Sequence, residues 1–204
     1  MESSPYPYYL IWMLFFITSC SSNSFETKEK LLAYVIDEKN GYSQKKVVNG
    51  VKFSMIYRPT DLVVANEWSE TFGQDKLDGL RKKYNANAYF NLSVSKGGRE
   101  LLTNVVKNKE KYSSLLRTMS FGMNEKLIIT NEVKDTIPLL DFIAPRMYDL
   151  SGSNTIMLIV DKSQPSFAKA KQLKIAIDDI GFRTGEVSFI FDMYKIQNQP
   201  KLNF

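Results

Sequence analysis

Val47-Val48-Asn49-Gly50-Val51-Lys52-Phe53-Ser54-Met55-Ile56-Tyr57 sets an Asn-Gly pair between two β-prone runs. Both turn residues tolerate the positive φ of a tight type I′ turn, so the segment predicts a hairpin with strands at about 44–48 and 51–58. In the second strand Val51, Phe53, Met55 and Tyr57 alternate with Lys52, Ser54, Ile56 and Arg58, which gives one apolar face. Arg58-Pro59 closes the ladder, because proline has no N–H to donate.

Upstream of the hairpin, Leu31, Leu32, Val35 and Ile36 fall at helical spacing among Lys28, Glu29, Asp37 and Glu38, and Asn40-Gly41 stops the pattern. Downstream, Thr60 or Asp61 is expected to cap a short helix reaching Trp68. Asp75 to Tyr84 reads as a further helix, and Ala88 to Val94 as a strand with Phe90, Leu92 and Val94 on one side. After Gly97-Gly98 a helical stretch runs from Leu101 to Met119, with a break expected near Asn108. The rest is β-like: Lys126 to Glu132, Ile137 to Ile143, Met147 to Leu150, Thr155 to Asp161, Leu173 to Asp178 and Glu186 to Ile196, punctuated by Pro and Gly. The last two runs predict a hairpin of Leu173, Ile175 and Ile177 against Val187, Phe189, Phe191 and Met193. Strands do not alternate regularly with helices, so the expectation is an α+β fold: a mostly antiparallel sheet, with several helices concentrated in the N-terminal half.

The 204 residues contain no histidine and a single cysteine, Cys20. A Ser-His-Asp triad, a Cys-His pair and a histidine zinc site are therefore excluded, and an enzyme built on this chain would have to use carboxylates, Lys, Tyr, Ser or Thr. No metal and no cofactor is expected. The 27 Lys and Arg face 22 acids. They are scattered in short groups such as Lys45-Lys46 and Arg81-Lys82-Lys83, which reads as solvated surface and not as a nucleic-acid footprint. A basic surface of this kind still attracts anionic membranes or polyanionic glycans.

The apolar run Tyr8 to Ile17 is about half the roughly 20 residues of a bilayer-spanning helix, and it leads into Ile17-Thr18-Ser19-Cys20. That tetrapeptide resembles the lipobox of bacterial lipoproteins, although residues 1–19 lack the usual Lys or Arg at the start of such a signal. The resemblance implies cleavage between Ser19 and Cys20 and acylation of Cys20, palmitate included. It also implies residence in the cell envelope, at the outer membrane, with the bilayer as first partner. Residues 1–19 would then be the signal peptide, residues 20–24 a flexible tether rich in serine, and residues 25–204 a single α+β domain. The alternative reading of the same run is an uncleaved apolar tail or a buried N-terminal strand.

Other patterns carry less. Ser43 to Lys46 and Ser93 to Lys96 have the Ser-to-Lys spacing of penicillin-recognising acyl enzymes, but both are expected outside helices, where that spacing does not bring the side chains together. Asp178-Asp179 reads as a turn, and Gly97-Gly98-Arg99 as a strand-to-helix connection. Trp68, Phe72, Tyr84, Tyr89 and Phe90 read as core or protein interface before sugar platform. Asp135-Thr136-Ile137 resembles the O-glycan acceptor pattern of exported proteins in one group of gut and environmental bacteria, which makes Thr136 a candidate for modification. The expectation for function is a membrane-anchored, non-catalytic accessory or binding subunit of an envelope assembly, with a protein or glycan partner. The alternative is a carboxylate- or Lys-dependent enzyme acting on peptidoglycan or polysaccharide.

Overall fold

A computed structural model describes residues 23–204 apart from Met147 and Asp149. Its eleven strands are β1 Ser24–Phe25, β2 Ser43–Val48, β3 Val51–Arg58, β4 Asn87–Lys96, β5 Arg99–Glu100, β6 Leu127–Asn131, β7 Leu139–Ile143, β8 Asn154–Asp161, β9 Gln172–Ile177, β10 Val187–Asp192 and β11 Lys201–Leu202. The helices are α1 Lys28–Ile36, α2 Thr60–Val64, α3 Gln74–Asn85, α4 Leu101–Val105, α5 Lys109–Phe121, α6 Met123–Lys126, α7 Pro165–Ala168 and α8 Met193–Gln197. The fold is α+β and its two main sheets are antiparallel. The helices are not clearly gathered in the first half, since α5 to α8 all lie beyond residue 108.

The Asn-Gly hairpin forms as its residues dictate. Asn49 and Gly50 take φ of 49° and 73°, and β2 pairs with β3 from Val48↔Val51 to Ser43↔Ile56. β3 then pairs with β4, β4 with β8, and β8 with β7, giving the large sheet its order β2-β3-β4-β8-β7. A smaller sheet has the order β10-β9-β6, so the two C-terminal strands form the expected hairpin with β9 at the centre. The expected strand at Met147 to Leu150 does not form at its described residues: Tyr148 has φ of 51°, a left-handed turn conformation incompatible with a ladder. The end of the run at Glu186 to Ile196 becomes α8, whose N-cap Asp192 accepts a bond from the Tyr194 N–H at 2.8 Å.

Inward-facing residues of the two sheets share one apolar cluster that extends from Leu31 to Leu202. Val51, Phe53, Met55 and Tyr57 alternate with more exposed neighbours, as the period-2 pattern requires. Phe90 of the large sheet lies 5.2 Å, ring to ring, from Phe191 of the small one and 5.4 Å from Tyr57, within the range of favourable aromatic pairs. Two corners join the sheets. At one, residues 135–137 pair with β6 through Asn131, Thr130 and Ile129, then pass Pro138 and a bulge between Leu139 and Asp141 to become β7 of the large sheet. At the other, the Gln44 side chain on edge strand β2 donates to the Ile190 carbonyl and accepts from the Ile190 N–H at 3.3 Å. Its amide thus stands in for the peptide group of a strand that is not there.

Helix starts follow the local chemistry. Thr27 accepts from the Lys30 N–H at the start of α1, and Asn108 accepts from the Lys111 N–H at 2.9 Å, which places the expected break between α4 and α5. Phe90 is fully buried between both sheets. Phe90→Ala is expected to lower the unfolding free energy by about 3–5 kcal/mol in denaturant titrations, the usual effect of emptying an aromatic core site. A loss below about 1 kcal/mol would mean that the sheets do not depend on this contact.

Candidate functional site

Pro59 turns the chain out of β3 into α2, and this places Thr60 and Asp61 against the C-terminus of the chain. Neither residue is the expected helix cap. Pro59 occupies the N-cap without a side-chain bond, and Asp61, 5% exposed, points instead at Arg81 of α3. Arg81 Nε donates to Asp61 Oδ1 and Arg81 Nη2 to Asp61 Oδ2, both at 2.9 Å. The same pair grips the Leu202 peptide group: Leu202 N–H donates to Asp61 Oδ2 at 2.8 Å and the Leu202 carbonyl accepts from Arg81 Nη2 at 2.9 Å. Leu202 in turn lies beside Phe25 in the parallel β1-β11 pair. The Phe204 ring sits 5.2 Å from the Arg81 guanidinium and stacks edge-on with Trp68.

Beside this clamp opens a cavity of about 310 Å³, lined by Thr60, Asp61, Arg81, Lys82, Asn85, Gln199, Pro200 and Lys201. Gln199 knits its floor. Its Oε1 accepts from the Tyr57 hydroxyl and the Thr60 N–H, both at 2.8 Å, and its Nε2 donates to Thr60 Oγ1 at 3.0 Å. Burial raises the Tyr57 phenol above its ordinary pKa, so it stays a donor. Asn85 Oδ1 accepts from Lys162 Nζ at 3.1 Å. Burial pulls the Lys162 ammonium down to about 8. Asp61 is the single acid among the lining residues, and three hydrogen bonds already occupy it. It is a structural ion-pair partner, while Lys82 and Lys201 leave the rim basic.

The residues singled out in the sequence are dispersed. Ser19 and Cys20 lie outside the described residues. Thr136 is exposed and its backbone bridges to Thr130 at the corner between the sheets. Ser43 to Lys46 lies on β2 and Ser93 to Lys96 on β4, where residues three apart point to opposite faces. Asp178 pairs with Lys126 at 2.9 Å, and Asp179 accepts backbone N–H groups of Gly181, Phe182 and Arg183, organising a turn. Phe90 and Tyr89 are buried, whereas Phe72 is 39% exposed, so the aromatics do not form one platform. Asp61 reads in the sequence only as a helix cap and Arg81 only as surface charge, and Lys162 and Gln199 carry no signal, because the clamp joins positions separated by up to 141 residues. Among the described residues, no group of three or more acids or cysteines could hold a metal ion, and no helix is long and apolar enough to cross a membrane.

Two measurements test the site. Asp61→Ala leaves Arg81 without its charge partner and is expected to lower stability by about 3 kcal/mol, with faster amide exchange at Leu202; a loss under about 1 kcal/mol would make the pair an ordinary surface bridge. Lys162 binds its proton less tightly in the folded chain, at about 8 against 10.5 when exposed, so folding releases that proton between those values. Its contribution to stability therefore improves as pH rises from about 8 to 10.5. Lys162→Met is accordingly expected to stabilise the protein at pH 7 and to lose that advantage by about pH 10. A mutant-minus-wild-type difference independent of pH would rule out the shifted ammonium. No protein family, curated protein or solved structure matches the chain.

Proposed function

We propose that this chain is a bacterial envelope lipoprotein, cleaved between Ser19 and Cys20, acylated on Cys20 and held at the outer membrane as a non-catalytic accessory or binding subunit. The observation that carries this reading is the position of the clamp. The Asn23 carbonyl accepts from the Lys201 N–H at 2.8 Å, and Ser24 and Phe25 pair with Lys201 and Leu202. Asn23 lies three residues after Cys20 in the sequence, and the strand β1 that follows it is tied through Leu202 to the Asp61–Arg81 pair. The strand reaches back to Ser24, one residue into the expected tether.

Three residues span at most about 10 Å. An acyl chain on Cys20 would therefore hold the folded part directly on the bilayer, with the basic rim of the cleft near anionic headgroups. Exposed apolar side chains, among them Leu140 and Ile143 on edge strand β7 and Leu150 beyond it, support an interaction role. The enzyme reading has one observation in its favour, the lowered pKa of Lys162 beside the cleft. It is answered by turnover of purified peptidoglycan or polysaccharide that disappears in Lys162→Met.

Mass spectrometry of the mature N-terminal peptide from native membranes is expected to show diacylglyceryl and acyl groups on Cys20, and Cys20→Ala is expected to leave the membrane fraction. A retained Met1 or an unmodified Cys20 overturns the anchor. Crosslinking in native membranes is expected to capture an envelope partner, and recovery of the protein alone counts against the binding role.

A further inference from the structure

The face of the large sheet turned away from the core carries polar groups that the cleft does not use. β3 presents Lys52, Ser54, Ile56 and Arg58 on this face, and β4 presents Ser95, Ser93, Asn91 and the buried Tyr89. The register puts Lys52 beside Ser95 and Ser54 beside Ser93. These four residues help to line a groove of about 510 Å³, walled by the turns at Gly97-Gly98 and Gly152. The wall is closely built: a Cβ on Gly152, whose φ is 65°, would lie 3.0 Å from the Gly98 carbonyl oxygen. Ser93 shares a 3.0 Å bond with Thr155 and keeps acceptor capacity, and the Lys52 side chain makes no hydrogen bond or ion pair among the described residues.

Two strand turns along, Arg58 is partly buried and its guanidinium makes no ion pair or hydrogen bond among the described residues. Its Nε is shielded from solvent and unpartnered, as is Asn91 Oδ1 on the neighbouring strand. Burial lowers the Arg58 pKa, which reflects a charge held partly out of water without a counter-ion. A carboxylate on the accessible edge of the guanidinium would supply that counter-ion through charge-assisted bonds. From Lys52 to Arg58 the face runs about 20 Å, with Ile56 between the groove and Arg58, and the groove half offers hydroxyls that both donate and accept.

We propose that this outer face binds an oligosaccharide bearing uronate groups, with one carboxylate on Arg58 and ring hydroxyls in the serine groove. A single unpaired guanidinium matches one monoanionic carboxylate, and hydroxyl-lined walls suit sugar hydroxyls better than acyl chains or apolar peptide side chains. The site rests on the reading of the chain as an envelope binding module and gives that module a ligand class.

Calorimetry on the full-length chain in detergent micelles tests it, with trigalacturonate as ligand and maltotriose, inorganic phosphate and phosphatidylglycerol vesicles as comparisons. Trigalacturonate is expected to bind with an affinity that falls as salt rises, and maltotriose at least tenfold more weakly. Arg58→Met is expected to weaken trigalacturonate tenfold or more and yet raise the thermal midpoint of the unliganded protein, because it removes an unpaired charge. A lower midpoint would make Arg58 structural and overturn the site. If Arg58→Met does not fold, the double variant Lys52→Gln with Ser54→Ala serves instead, with a several-fold loss expected. Undiminished trigalacturonate binding in the folded variants, equal binding of maltotriose or phosphate, or binding of vesicles alone overturns the proposal. Cys20→Ala separates it from the anchor, since it is expected to release the protein from membranes and leave trigalacturonate binding intact.

Discussion

Asp61 and Arg81 hold Leu202 by both halves of its peptide group, and Leu202 holds Phe25. One charge pair thereby ties together α2, α3, the last strand and the first. A bidentate guanidinium–carboxylate pair suits this task because its fork fixes both distance and direction, and a peptide group inserted against it meets an acceptor and a donor in the order it needs. The buried Asp61 carboxylate loses hydration and offsets that loss through its bonds from Arg81 and Leu202, while Arg81 stays partly exposed. With the clamp in place, Phe204 covers Arg81 and Trp68, and the nearby polar residues around Gln199 have fixed partners.

The two sheets depend on the same economy of partners at their edges. An open edge of N–H and carbonyl groups must be paired or covered. Here the corner at Pro138 carries the chain from one sheet to the other, and Gln44 supplies a side-chain amide where the backbone of β2 does not reach β10. Phe90 and Phe191 then meet between sheets whose separation those corners set. Two polar surfaces remain outside this core. In the cleft beside the clamp Asp61, Thr60 and Gln199 have their partners, and the outer face of the large sheet holds a guanidinium whose Nε has none.

Much of the fold is legible along the chain. Asn49-Gly50 announces its hairpin, Asn108 its helix start, and the alternation of Leu173 to Ile177 and Val187 to Phe191 their pairing, because each signal is local and each residue adopts what its own stereochemistry favours. The division into two sheets is not legible. Strands of either sheet have the same period, and nothing in the apolar pattern of β6 says that it joins β9 while β7 joins β8. The candidate site is less legible still. Thr60 and Asp61 look like helix caps by residue type and position, and they fail as caps because partners distant in sequence claim their side chains first.

The sequence by itself determined the local elements, the absence of histidine chemistry and the lipobox-like setting of Cys20, since these follow from residue type and near-neighbour spacing. Tertiary structure alone decided that Asp61 meets Arg81 and Leu202, that burial shifts Lys162, and that Arg58 faces outward beside Asn91 without a counter-ion. The physical reason is common to all three. Burial and charge pairing are properties of a position in space, and residues up to 141 apart in the chain acquire them only when the sheets and helices close around a shared core.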